Sequence, residues 1–135
     1  MKMNKIIYVF IAIIFVGVIG FLLFAPKSNS PSTFVSSQNT TINQALTDVA
    51  AGKAVLFDVR TPDEFNGGHA KLATSFDSVR LQNGEQFPAN KNQTIYLYCR
   101  SGNRASQVQA ILKNQGYTNV TNLGGLDEMK AAGAF

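Results

Sequence analysis

Hydrophobic and polar positions divide the chain into a uniform apolar run, a polar stretch, and a long region of alternating short periods. Ile6 to Phe24 carries no charge, no proline and only two glycines over 19 residues. That run approaches the roughly 20 apolar residues a helix needs to cross a bilayer. From Pro26 to Asn39 the chain turns polar and proline-broken, which reads as a tether. A short strand at Phe34-Val35-Ser36 is expected within it. Beyond it, Ile42, Ala45, Leu46, Val49 and Ala50 recur at helical spacing, with Thr41 and Gln44 placed as a capping box. Ala54 to Val59 is a nearly continuous apolar run, as suits a strand covered on both faces. Thr61-Pro62 opens a short helix that Gly67-Gly68 ends.

A strand is expected within Thr74 to Val79. Thr94 to Tyr98 is β-branched and aromatic, the composition of a buried strand. Ala105, Val108, Ile111 and Leu112 form one helical face that stops at Gly116. Asn119 to Asn122 predicts a short strand, and Leu126 to about Ala132 a last helix. Strands alternating with helices imply an α/β layer structure with a mostly parallel sheet. The expected division is a membrane anchor or signal segment at 1–25, a linker at 26–39 and a folded domain at 40–135.

Charge refines this picture. The formal net charge is +4, with 12 basic and 8 acidic residues. Setting Lys2 and Lys5 aside leaves +2 and no Lys/Arg cluster, so a nucleic-acid footprint is absent. Lys2 and Lys5 precede the apolar run and only Lys27 follows closely. By the excess of positive charge on the cytoplasmic side, the domain is expected to face away from the cytoplasm, toward a periplasm or the cell exterior. A cleaved signal peptide is the alternative, and would leave the domain secreted. The apolar stretch is long for that, and no clear small-x-small site follows it.

The candidate chemistry lies at Cys99, the one cysteine, which excludes an internal disulfide. Cys99-Arg100-Ser101-Gly102-Asn103-Arg104 joins a buried strand to a helix start. A tight loop there turns successive N–H groups inward as an anion nest, and the helix N-terminus adds positive potential. Gly102 supplies torsions that other residues resist. Arg100 and Arg104 bring permanent charge. Helix ends and cations lower a thiol pKa into the range ~3.5–7.5, so Cys99 is expected as a nucleophile. The plain alternative is a buried small hydrophobe. Arg104 could equally pair with an acid such as Glu64. Asp58 and Arg60 also sit at a strand end, where parallel sheets bind ligands. Asp58 reads as structural support for a neighbouring loop. Arg60 reads first as sharing that role, with substrate contact as its alternative. His69, the only histidine, suits a local hydrogen bond better than a general base.

Asp58-Val59-Arg60-Thr61-Pro62-Asp63-Glu64-Phe65, then Gly68-His69, then Tyr98 to Arg104, then Leu123-Gly124-Gly125 closely resemble the rhodanese homology domain. The likeness spans about Thr33 to Phe135. It implies a rhodanese-like α/β fold with about five parallel strands flanked by helices, here preceded by one transmembrane helix. It implies a sulfurtransferase in which Cys99 takes the outer sulfur of thiosulfate as a persulfide and passes it to cyanide or a thiol. Arg100, Ser101, Gly102, Asn103, Arg104 and Arg60 would then bind substrate. No metal and no cofactor are called for. One departure stands out: His69-Ala70-Lys71-Leu72-Ala73-Thr74 replaces the usual Ile-Pro-Gly-Ala type of turn.

Three other functions compete. A cysteine-dependent phosphatase or arsenate reductase would hold an oxyanion with five residues between Cys and Arg, and here there are four. A tethered persulfide carrier or interaction module would use the same loop without turnover. A disulfide redox role lacks a second cysteine.

Overall fold

Side chains of a strand alternate between faces, and here both faces are apolar. The computed structural model describes residues 31–135, with side chains from Thr41 onward. Phe57, Val59, Ile95, Leu97 and Cys99 fall on one side of the sheet, and Leu56 and Tyr98 on the other. A sheet buried on both faces needs two helical layers, which matches the continuous apolar runs of its central strands.

The described elements are α1 (Pro31–Ala50), β1 (Ala54–Asp58), α2 (Pro62–Asn66), β2 (Ala73–Ser75), α3 (Ser78–Gln82), β3 (Thr94–Tyr98), α4 (Asn103–Asn114), β4 (Asn119–Asn122) and α5 (Leu126–Ala131). They build one parallel sheet in the order β2-β1-β3-β4. Ala105, Val108 and Leu112 of α4 pack with Phe57, Leu97 and Cys99 on one face. Ile42 and Ala45 of α1 and Met129 of α5 pack with Leu56 and Tyr98 on the other. Phe76 and Phe87 are buried with Phe57 in an aromatic cluster, centroids 4.6–6.5 Å apart.

Four expectations are corrected. The sheet of the described residues has four strands, not five. The backbone at 34–36, expected as a strand, lies within α1, which starts at Pro31. Thr41 is therefore inside that helix and not at its first turn. The strand expected over Thr74 to Val79 ends at Ser75, because Asp77 caps a new helix by accepting from the Val79 N–H at 3.0 Å. No helix among the described residues is long and apolar enough to cross a membrane. The run Ile6 to Phe24, expected to span one, lies outside the described residues.

The departing turn at His69 to Thr74 has its own local solution. Ala70 is fully buried, and its N–H donates to the Tyr98 hydroxyl at 2.9 Å. Leu72 adopts φ of 66°, which a side chain rarely takes, and projects into solvent. β2 then starts at Ala73, beside Leu56 of β1.

Candidate functional site

The carboxyl ends of β1, β3 and β4 lie side by side, and each feeds a loop that meets the others. β3 ends at Tyr98, and Cys99 follows with its side chain on the α4 face. The chain then turns through Arg100, Ser101 and Gly102 into α4. Gly102 holds φ of 83° just before the first helical residue. Its N–H donates to the Cys99 sulfur at 3.1 Å. Asn103 and Arg104 open α4, whose first amides have no acceptor within the helix and no side-chain cap. Of the successive amides expected to turn inward, one lies on the sulfur, the Gly102 N–H.

Close approach of two loops fixes this shape. A Cβ on Gly102 would stand 3.3 Å from the Gly124 Cα. A Cβ on Gly125 would stand 2.8 Å from the Arg100 carbonyl oxygen and 3.1 Å from the Ser101 Cα, so only glycine fits there. Cys99 N–H donates to Gly124 O at 3.3 Å, Leu126 N–H to Arg100 O at 3.0 Å, and Ser101 bridges Gly125. The Gly-Gly block is thus the floor on which the cysteine loop lies.

Cys99 is only 1% exposed. That depth is what the plain alternative, a buried small hydrophobe, expects. The sulfur has apolar neighbours from the α4 layer on the strand side and the Gly102 amide on the loop side. It sits at the boundary between core and loop. Arg100, Ser101 and Asn103 are exposed on the rim.

The two loop arginines differ. Arg104 forks onto Glu64, with donors 2.7 and 2.9 Å from its two oxygens. The alternative pairing with Glu64 is therefore realised. Glu64 raises the Arg104 pKa further, and Cys99 adds smaller contributions in the same direction. Glu64 also closes the capping box of α2 with Thr61, accepting from its N–H at 3.1 Å. One carboxylate thus ties α2 to the cysteine loop.

Arg60 is held in an ion pair with Asp58. It is buried, with Nε and Nη2 donating to Asp58 at 2.6–2.9 Å and Nη2 to Gly68 O at 2.7 Å. Asp58, fully buried, also accepts from the Tyr98 hydroxyl at 2.6 Å and the Arg60 N–H at 3.0 Å. Burial first, then the Asp58 carboxylate, pushes the Tyr98 hydroxyl well above its ordinary pKa, so it stays a donor. Stripping one partner from a buried ion pair costs about 3–5 kcal/mol. A hydrogen bond to a charged group returns only about 1.5–3 kcal/mol. The larger number decides that Arg60 stays on Asp58. His69 is exposed, stacked on Phe65 at 3.7 Å and hydrogen-bonded through Nδ1 with the Phe65 carbonyl, a local role as expected.

One contributor was missed by sequence reasoning. Asn122, at the end of β4, reaches both the cysteine loop and the Gly-Gly block. Its only sequence signal was its position two residues before Gly124.

The Glu64 carboxyl gives a pH prediction. Arg104 holds its pKa down to about 2 against an ordinary 4.5. A depressed carboxylate pKa contributes stability above the unfolded value and loses it as pH falls through the folded value. The difference in unfolding free energy between wild type and Glu64→Gln should be full above about pH 4.5 and close toward pH 2. Denaturant titrations across that range check it. A difference independent of pH would contradict it.

Comparison with known proteins agrees with this geometry. The family model described as "Rhodanese-like domain" matches residues 41–132. The "Thiosulfate sulfurtransferase PspE" of Escherichia coli strain K12 is 34% identical over 74 residues, covering 53% of this chain and 70% of its own. A protein named "Sulfurtransferase" from Allochromatium vinosum is 34% identical over 88 residues, covering 62% of this chain and 76% of its own. The solved structure of the Alr3790 protein from Anabaena superposes with a TM-score of 0.60 at 26% identity, over 69% of this chain and 76% of that one. A four-stranded parallel sheet, a cysteine loop floored by two glycines and a match over residues 41–132 agree: this chain belongs to the rhodanese-like domain family.

Proposed function

We infer that this chain is a sulfurtransferase that takes sulfane sulfur from thiosulfate or a similar anionic donor onto Cys99 and passes it to a thiophilic acceptor. The observation that carries this reading is the Gly102 amide on the Cys99 sulfur, at the mouth of a helix. Such amides and charges favour anionic sulfur over the neutral thiol. The relatives named above as sulfurtransferases support the same chemistry.

The reaction splits into two displacements. The Cys99 thiolate attacks the outer sulfur of thiosulfate, a new S–S bond forms, and sulfite leaves with the electron pair of the old one. Cyanide or a thiolate then attacks the terminal sulfur of the persulfide. Thiocyanate or a new persulfide departs, and the Cys99 thiolate returns. Gly102 and the first amides of α4 receive the developing negative charge. Arg104 balances it while anchored by Glu64. Arg100, Ser101 and Asn103 form the rim that the donor meets. Cys99 itself is only 1% exposed, so the donor meets the rim before the sulfur.

The same burial favours a second reading, a persulfide carrier that shields its cargo until a partner protein opens the loop. A thiosulfate:cyanide assay separates the two. Turnover that falls to the uncatalysed background in Cys99→Ala supports the enzyme. Stable persulfidation without turnover supports the carrier, and turnover unchanged in Cys99→Ala would contradict both.

The apolar run Ile6 to Phe24, with Lys2 and Lys5 before it, supports a membrane tether that holds the domain on the extracytoplasmic side. The whole chain should stay with membranes after alkaline carbonate washing. Release into the wash would contradict the tether.

A further inference from the structure

The cysteine loop and the Gly-Gly block belong to different crossovers, and one side chain joins them. The Asn122 Nδ2 donates to Gly102 O at 3.0 Å and to Ser106 Oγ at 2.8 Å. Its Oδ1 accepts from the Gly124 N–H at 2.8 Å. A primary amide offers two donor hydrogens and an acceptor oxygen, and here all three are engaged. Asn122 ends β4, and its neighbour Leu123 is tied back to β3 by its N–H on Leu97 O at 2.8 Å. The amide therefore stands on a fixed base.

The geometry of a trans peptide gives this arrangement a consequence. Carbonyl and N–H of one peptide unit point in opposite directions. Holding the Gly102 carbonyl toward β4 turns the Asn103 N–H the other way, toward the loop. Gly102 is the residue that most needs such a hold, because at φ of 83° it has no side chain to restrict it. Its own N–H is the donor on the Cys99 sulfur. Asn122 thus grips the peptide unit adjoining the one that contacts the sulfur. It also fixes Gly124, whose carbonyl accepts from the Cys99 N–H at 3.3 Å. Both ends of the loop chemistry, the Cys99 backbone and the Gly102 turn, lead to the same side chain.

We propose that Asn122 is a positioning residue for sulfur transfer, holding the Gly102 turn and the Gly124 carbonyl so that the loop amides stay aimed at anionic sulfur on Cys99. Asn122 touches neither the sulfur nor the donor, and it acts through Gly102 and Gly124. The proposal rests on the sulfurtransferase reading, and its test is built so that the two can fail separately.

The test uses the full chain, with Asn122→Ala as the variant and Gln109→Ala as the control. Gln109 also joins α4 to β4, its Nε2 donating to Val120 O at 2.8 Å, but away from the cysteine loop. Two quantities are measured. One is the second-order rate of sulfur loading from thiosulfate. The other is the ratio of Cys99 alkylation by anionic iodoacetate to that by neutral iodoacetamide. The ratio cancels changes in exposure and reads the preference of the loop for anions.

Loss of one preorganising hydrogen-bond set should lower both readouts about five- to tenfold in Asn122→Ala. Gln109→Ala should keep both at wild-type values, even where it lowers thermal stability. Wild-type values in folded Asn122→Ala would overturn the proposal. So would equal losses in the two variants, since Asn122 would then act only through stability. Should Asn122→Ala fail to fold, Asn122→Ser serves, because its shorter hydroxyl cannot reach all three partners. If wild type takes up no sulfur, the sulfurtransferase reading falls, while the alkylation ratio still reports on Asn122.

Discussion

The Gly102 N–H, 3.1 Å from the sulfur of Cys99, is the contact on which the site depends. A backbone amide cannot be swapped for another chemistry by changing a side chain. It can only be aimed, and aiming it requires a loop of one shape. The positive φ of Gly102, the bare Cα of Gly125 under Arg100 and the hold of Asn122 on Gly102 O each serve that shape. They come from two stretches of chain that meet because β3 and β4 run parallel and end together.

A second constraint lies beneath the first. Asp58 is a charge buried at the end of β1, and such a charge is tolerated only when paired and hydrogen-bonded. Arg60, Tyr98 and the Gly68 and Ala70 backbone close a network around it. No buried side-chain oxygen or nitrogen among the described residues lacks a partner. The network joins the strand before Cys99 to the loop after β1, so the site stands on a satisfied polar base, with apolar layers on either side. Glu64 extends the connection outward, linking α2 to Arg104.

Much of this was legible from residue order. The runs Ala54 to Val59 and Thr94 to Tyr98 are apolar at nearly every position, so their burial on two faces follows. The spacing of Ala105, Val108 and Leu112 gives the face of α4 that packs near Cys99. The torsional role of Gly102 and the pairing of Arg104 with Glu64 were also within reach. Other features were not. Thr41 and Gln44 satisfy a capping pattern, yet the helix continues through them to Pro31, because a local signal does not stop a helix whose neighbours can extend it. Asp77 ended a β-rich run by capping, which outweighed the propensity of Val79. Sequence left Arg60 two readings because it does not show that Asp58 is buried and must be neutralised. Asn122 was invisible, since a polar residue at a strand end has a role only through what the fold brings beside it. The depth of Cys99 was left between two readings for the same reason: what covers it comes from α4, which only the fold brings there.

The central claim is that this buried, amide-held sulfur accepts a second sulfur atom. Intact-mass measurement of the chain after treatment with thiosulfate tests it most directly. Wild type should gain the mass of one sulfur and Cys99→Ser none. An unchanged mass for wild type, or the same gain in Cys99→Ser, would contradict it.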